Sequence, residues 1–135
     1  NFMANQILLA TGAKAFGPPA TIEQGVRAAK KYLSQRFDLE GAGEISFVEG
    51  SGISRNNQLT AQTFLQILSE FKPYHGLMKN KDNEYYKTGT LNGINTRVGY
   101  IVSPTNELYP FVVFINKPGK TTAPVMKQLK KLVPF

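Results

Sequence analysis

Tyr85-Tyr86-Lys87-Thr88-Gly89-Thr90-Leu91, Asn92-Gly93 and Ile94-Asn95-Thr96-Arg97-Val98-Gly99-Tyr100-Ile101-Val102 form the stretch that decides the fold. Two runs rich in β-branched and aromatic residues flank a two-residue break. Asn-Gly is the strongest short hairpin signal, because both residue types tolerate the left-handed backbone that a tight hairpin turn needs. A third run, Tyr109 to Ile115, comes after the longer turn Ser103 to Leu108. Within it Phe111-Val112-Val113-Phe114-Ile115 is apolar without alternation, which predicts a strand covered on both faces. A closing helix is expected over Thr121 to about Val133, with Val125, Leu129 and Leu132 facing inward.

The pattern upstream is helical. Phe2 to about Ala15 reads as a helix stopped by Phe16-Gly17-Pro18-Pro19. Thr21-Ile22-Glu23-Gln24 matches a capping box, in which Thr21 and Gln24 satisfy each other's backbone amides. Ile22, Val26, Ala29, Leu33 and Phe37 then recur at spacings of three and four, up to Gly41–Gly43. Ile45-Ser46-Phe47-Val48 is a short strand-like run leading into Glu49-Gly50-Ser51-Gly52. Thr60 is a suitable N-cap for a helix carrying Phe64, Leu65, Leu68 and Phe71, stopped by Pro73. Residues 76–84 are polar and charged and are expected to form a loop.

These elements predict an α+β chain: an antiparallel sheet backed by a C-terminal helix, after a helical N-terminal half. The helical part takes residues 1–80, and the β-meander with its final helix takes 81–135. Three strands make a thin sheet, so further elements are expected upstream of residue 1, as is an exposed edge prone to self-association. The chain opens on Asn1 and reaches the apolar stretch Ile7–Ala10 almost at once, which reads as a cut boundary.

Composition narrows the chemistry. The 135 residues contain no cysteine, which excludes disulfides, thiol nucleophiles and thiolate-bound zinc. There is one histidine, His75, and the nine acidic residues show no ligand spacing, so neither metal nor cofactor is expected. Sixteen Lys and Arg against nine Asp and Glu give a net charge of +7. The cations are scattered rather than gathered, densest at Arg27–Lys31 and Lys127–Lys131, where they read as solvated helix faces. A nucleic-acid module would need them on one face with aromatics interleaved. No apolar run approaches the roughly 18 residues of a membrane span.

Chemistry enters with Lys87-Thr88-Gly89-Thr90. On a strand beside a cleft, an ammonium and a hydroxyl can hold a carboxylate by charge-assisted bonds. Gly89 lets a ligand or another element come close to the backbone. Three segments together carry a resemblance. Tyr85 to Gly93, with Gly99-Tyr100 beyond it, resembles the Lys-Thr-Gly signature of serine penicillin-recognising enzymes. Glu49-Gly50-Ser51-Gly52-Ile53-Ser54-Arg55-Asn56-Asn57 resembles the Asp-Gly-Ser-Gly-Leu-Ser-Arg segment of the serine D-alanyl-D-alanine carboxypeptidase/endopeptidases, low-molecular-mass class C penicillin-binding proteins. Asn1-Phe2-Met3-Ala4-Asn5 looks like the Asn of the Ser-x-Asn signature and the residues after it. The order is the family's, and a helix comes after the middle segment in both.

The chain departs from the family in three ways. Glu49 stands where the family has Asp. The stretch between the middle segment and Lys87 is short and lacks a Leu-Pro-Val-x-Gly-x-Asp-Gly-Thr-Leu run. No Ser-x-x-Lys lies in the expected upstream place. Ser69-Glu70-Phe71-Lys72 fits that pattern, but falls at a helix end after the middle segment. Ser54-Arg55-Asn56 fits Ser-x-Asn, but sits where a structural turn is expected.

The resemblance implies part of a penicillin-binding, β-lactamase-like transpeptidase fold. It also implies an exported, cell-envelope enzyme that cuts peptidoglycan stem peptides through an acyl-serine and is acylated by β-lactams. Lys87 and Asn1 would be catalytic, and Thr88, Gly89 and Thr90 would bind substrate, with the backbone N–H of Thr90 forming half of the oxyanion hole. The nucleophile would come from the upstream part of the same protein, leaving these 135 residues inactive by themselves. A non-catalytic relative that binds cell-wall peptides would carry the same three segments.

Overall fold

The computed structural model describes residues 1–37 and 45–133. The helix expected to carry Phe37 and run up to Gly41–Gly43 ends at Arg36, with Phe37 as its extended C-cap; the three residues 41–43 lie outside the described residues. The chain forms two compact units, Asn1–Thr63 and Phe64–Phe135.

In the first unit, α1 (Phe2–Phe16) and α2 (Ile22–Arg36) form a helical hairpin. Thr21 caps α2 as expected, with Gln24 N–H donating to Thr21 Oγ1 at 3.2 Å and Thr21 N–H to Gln24 Oε1 at 3.3 Å. Two glycines set the spacing of the helices. A Cβ on Gly25 would stand 2.2 Å from the Leu8 carbonyl oxygen, and one on Gly12 would stand 2.5 Å from the Gly25 nitrogen. The backbones therefore touch, which any larger residue forbids. The Arg27 guanidinium lies 3.7 Å from the Phe16 ring centroid. After Ile45 the chain makes a loop closed by an isolated bridge between Ser46 and Gln58. The strand expected over Ile45–Val48 is thus a single bridge: Gln58 is its partner, and no neighbouring pair extends the ladder. Thr60 caps α3 (Ala61–Phe71), accepting from Thr63 N–H at 3.1 Å.

The second unit begins within α3. Its sheet has four antiparallel strands in the order β1 (Lys79–Lys81), β2 (Glu84–Leu91), β3 (Ile94–Val102), β4 (Leu108–Ile115), and α4 (Ala123–Leu132) comes after it. The Asn92-Gly93 hairpin is present, with Leu91 opposite Ile94. The region expected to be a loop, 76–84, instead holds the end of a 3-10 helix (Lys72–Leu77), β1 and a two-residue turn. Asp82 and Asn83 both take left-handed φ, 55° and 58°, which is what a tight turn joining paired strands requires. The sheet therefore has four strands rather than three.

Apolar groups cover both faces of the sheet. Ile101, Phe111, Val113, Met126 and Val133 form one cluster, with Leu129 packed against it. Leu68, Val98 and Tyr100 form the other, with Phe64, Phe71, Val112 and Phe114 around them. β4 thus has apolar cover on both faces, but unequally: Phe111 and Val113 are buried on the α4 side, while Val112 and Phe114 on the α3 side are half-buried. On α4 the inward residues are Met126 and Leu129; Val125 and Leu132 are 41% and 77% exposed, against expectation. Tyr100 is fully buried, and its hydroxyl donates to the Leu68 carbonyl at 2.5 Å, tying α3 to the sheet. Burial pushes the Tyr100 hydroxyl pKa up to about 12. Gly99 makes the close approach possible: a Cβ there would lie 1.9 Å from the Tyr85 carbonyl oxygen.

Candidate functional site

Lys87, Thr88, Gly89 and Thr90 stand in succession on β2, and all four are exposed. β1 pairs only with Glu84, Tyr85 and Tyr86. From Lys87 to Leu91 the outer edge of β2 meets no strand among the described residues.

The phase of the ladder decides which groups face that edge. The Asn83 carbonyl accepts from Val102 N–H at 2.8 Å. In an antiparallel pair, alternate residues turn their N–H and C=O toward the partner. Asn83, Tyr85, Lys87, Gly89 and Leu91 therefore address β3. Glu84, Tyr86, Thr88 and Thr90 turn away; the first two meet Lys81 and Lys79 of β1. The main-chain groups of Thr88 and Thr90 are left at the open edge. The Lys87 ammonium reaches the same edge, donating to the Thr88 carbonyl at 2.7 Å. The site thus places a cation, two hydroxyls and the outward backbone N–H groups of Thr88 and Thr90, which meet no strand among the described residues, within four residues. Gly89 faces Thr96, whose hydroxyl would lie 2.7 Å from an added Cβ.

On the face of β2 opposite the Lys87 side chain, the face that Thr88 and Thr90 share, Glu84 is 2% exposed and is held by two cations. Arg97 Nη2 lies 2.6 Å from one carboxylate oxygen and Lys130 Nζ 2.6 Å from the other. The Arg97 guanidinium also stacks 3.9 Å from the Tyr86 ring centroid. This triad joins β2, β3 and α4 beneath the strand that carries Lys87. No pattern in the sequence singled out Glu84, since a strand-opening glutamate is usually solvated.

Asn1 belongs to the first unit, where it precedes α1 and its side chain makes no capping hydrogen bond. The loop after Val48 is organised by one carboxylate. Glu49 accepts from Ser51 N–H at 2.6 Å, the Ser51 hydroxyl, Ser54 N–H at 3.2 Å and Asn57 Nδ2 at 2.6 Å. Burial alone would raise its pKa, but the hydrogen bonds from Ser51, Ser54 and Asn57 outweigh it and hold the group at about 2. Asn57 completes the loop, accepting from Val48 N–H at 2.9 Å. Sequence reasoning marked the glycines of this loop but missed Glu49 and Asn57 as its hubs, although such residues recur where side chains fold their own backbone.

The two decoys are engaged locally. Ser69 Oγ donates to the Leu65 carbonyl at 3.1 Å, and Ser54 Oγ accepts from Asn56 N–H at 3.2 Å. His75 Nδ1 lies 2.9 Å from the Lys72 carbonyl, and its ring packs edge-on against Tyr85 at 4.6 Å. Among the described residues no cluster of His, Cys, Asp and Glu could hold a metal ion, and no helix is long and apolar enough to cross a membrane.

Comparison with known proteins places this architecture. D-alanyl-D-alanine carboxypeptidase DacB of Haemophilus influenzae is 24% identical over 164 aligned residues, which take in 97% of this chain and 32% of the relative. The alignment is longer than the chain, so the relative carries extra residues between the matched segments. Two crystal structures of penicillin binding protein 4 (dacB) from Haemophilus influenzae, one complexed with a novel β-lactam, share the fold. Both give a TM-score of 0.76 at 22% identity, covering 100% of this chain and 39% and 37% of theirs. The chain spans about a third of the length of the curated relative it matches. A family model matches residues 1–83, which include the Asn1 segment and the Glu49 loop and end ahead of Lys87. The chain belongs to the D-Ala-D-Ala carboxypeptidase 3 (S13) family.

Proposed function

We propose that this chain is the C-terminal portion of a serine D-alanyl-D-alanine carboxypeptidase/endopeptidase of the cell envelope. A serine outside residues 1–135 attacks the carbonyl of the penultimate D-alanine of a peptidoglycan stem peptide. The amide bond breaks, and D-alanine leaves with the proton given up by the serine. Water then hydrolyses the acyl ester and restores the hydroxyl. A β-lactam acylates the same serine by opening its ring.

Each residue of the site has a part in this chemistry. The Lys87 ammonium supplies positive potential to the substrate carboxylate and to the proton-relay groups. The Thr88 hydroxyl donates to that carboxylate. The Thr90 N–H is half of the oxyanion hole, preorganised on a rigid strand where negative charge develops. Gly89 keeps the strand surface open to the substrate. Asn1 contacts the substrate amide. The observation that carries the reading is the open β2 edge, where Lys87 stands beside the outward main-chain groups of Thr88 and Thr90.

The test is stopped-flow acylation of the complete enzyme by a fluorescent penicillin. Losing one electrostatic contact in a water-poor site slows chemistry by roughly 10²- to 10³-fold. Lys87→Ala is expected to lose about that much in acylation rate, with little change in initial binding. Lys87→Arg recovers only part, because a planar fork replaces a compact point charge. Thermal melts of both variants should match the parent. Near-parental acylation by folded Lys87→Ala would make Lys87 an ordinary strand lysine.

A further inference from the structure

Resting on that reading of Asn1, we propose that Glu49 is a positioning residue whose loop clamps the first turn of α1 and so fixes where Asn1 stands. The loop has little packing to shape it, since Val48 and Ile53 are 44% and 56% exposed. Hydrogen bonds to two side chains set its course instead. Glu49 gathers Ser51, Ser54 and Asn57, and Asn57 returns to Val48 N–H and to the Glu49 carbonyl, the latter at 3.3 Å. The strand-like bridge between Ser46 and Gln58 closes the base.

This loop presents a donor to α1. Gly50 N–H donates to Asn5 Oδ1 at 2.7 Å, a contact between residues 45 apart in sequence. The fit is close: a Cβ on Gly50 would stand 2.9 Å from the Ala4 carbonyl oxygen and 3.3 Å from Asn5 Oδ1. Asn5 N–H in turn donates to the Asn1 carbonyl at 3.2 Å, closing the first turn of the helix. Glu49 therefore acts on Asn1 through Gly50 and Asn5, without touching substrate. A side chain misplaced by about 1 Å at a reacting centre can lower the rate by roughly 10²-fold, which makes such a clamp worth retaining in an exposed loop.

The experiment measures acylation of the complete enzyme by a fluorescent penicillin, resolving initial binding from the acylation step. The variants are Glu49→Gln, Glu49→Asp and Asn5→Ala. Glu49→Gln turns an NH₂ donor toward donors already there, so the loop loses its hub. We expect the acylation rate to fall about 10- to 100-fold in Glu49→Gln and Asn5→Ala, with initial binding within roughly threefold. Glu49→Asp keeps the charge and should recover much of the loss. Asn5→Ala places a good helix former on α1, so the helix survives if the loop variant does not fold. In parallel, amide exchange at Gly50 and Asn5 should accelerate in Glu49→Gln while the Tyr100 amide keeps its protection. Parental acylation rates in folded Asn5→Ala and Glu49→Gln would overturn the proposal, as would Gly50 and Asn5 amides that exchange no faster. A parent enzyme that penicillin never acylates would sink the proposed function instead; amide exchange then decides the clamp alone.

Discussion

Thr90→Pro separates the chemistry of the β2 edge from its architecture. Proline removes one N–H and fixes φ near −65°, a change that edge strands tolerate where the lost N–H faces outward. At Thr90 that is the case: the ladder phase set by Asn83 and Val102 turns the Thr90 N–H away from β3, and β1 ends before it. No sheet hydrogen bond is lost, so the stability cost should stay within about 1 kcal/mol, the net worth of a single hydrogen bond. Removing one oxyanion donor, by contrast, costs roughly 10²- to 10³-fold in rate, about 3–4 kcal/mol of transition-state stabilisation. The control is Leu91→Pro, whose N–H has the opposite phase and faces Ile94. It should lose a ladder bond and leave the Ile94 carbonyl unmatched, destabilising the fold by about 1–3 kcal/mol. Stopped-flow acylation reads the first effect and thermal melts the second. If Thr90→Pro melts as early as Leu91→Pro, the assigned phase is wrong. If it folds and acylates at the parental rate, the Thr90 N–H is no part of the oxyanion hole.

Other outcomes rest on the same geometry. Glu84→Gln should destabilise the protein by about 2–4 kcal/mol in urea unfolding, since Arg97 and Lys130 then face each other without the buried carboxylate; partial exposure of both cations keeps the loss below the upper range for buried pairs. An unchanged midpoint would mean that the triad contributes nothing. Because folding lowers the Glu49 pKa from 4.5 to about 2, its stabilisation of the loop is present above pH 4.5 and is lost as pH falls through about 2. Backbone amide shifts of Ser51 and Ser54 measured against pH should titrate near 2; a midpoint near 4.5 would show that the hydrogen bonds do not hold the carboxylate. Leu68→Ala, at a 1% exposed position against Tyr100, should lose about 2–5 kcal/mol, and a smaller loss would mean that α3 packs loosely.

How legible the fold was depends on which signals were local. The capping box at Thr21 and the Asn92-Gly93 hairpin are short-range rules, and both hold. β1 was illegible because Lys79-Asn80-Lys81 is three polar residues with no alternation; the left-handed turn at Asp82-Asn83 and pairing with β2 create it. Ile45–Val48 has strand composition, yet only Ser46 pairs, because composition cannot supply a partner. On α4 the spacing rule chose Val125 and Leu132, but a helix three turns long offers alternative faces, and Met126 fills the core. At the site, Lys87 to Thr90 were legible as a motif. Which main-chain groups face outward was not, because that depends on the register with β3. Glu84 and the Glu49 hub are tertiary facts: a carboxylate's partners lie on other segments, and sequence spacing does not reveal them.

The position at which penicillin becomes attached tests the proposed acyl-serine chemistry most directly. Complete enzyme and the 135-residue chain are each incubated with a penicillin, and intact mass and peptide maps are recorded. One penicilloyl group is expected per complete enzyme, on a serine outside these residues, and no adduct on the chain alone. An ester on Ser69, Ser54 or any other serine of the chain, or a complete enzyme that gains no mass, would contradict this expectation.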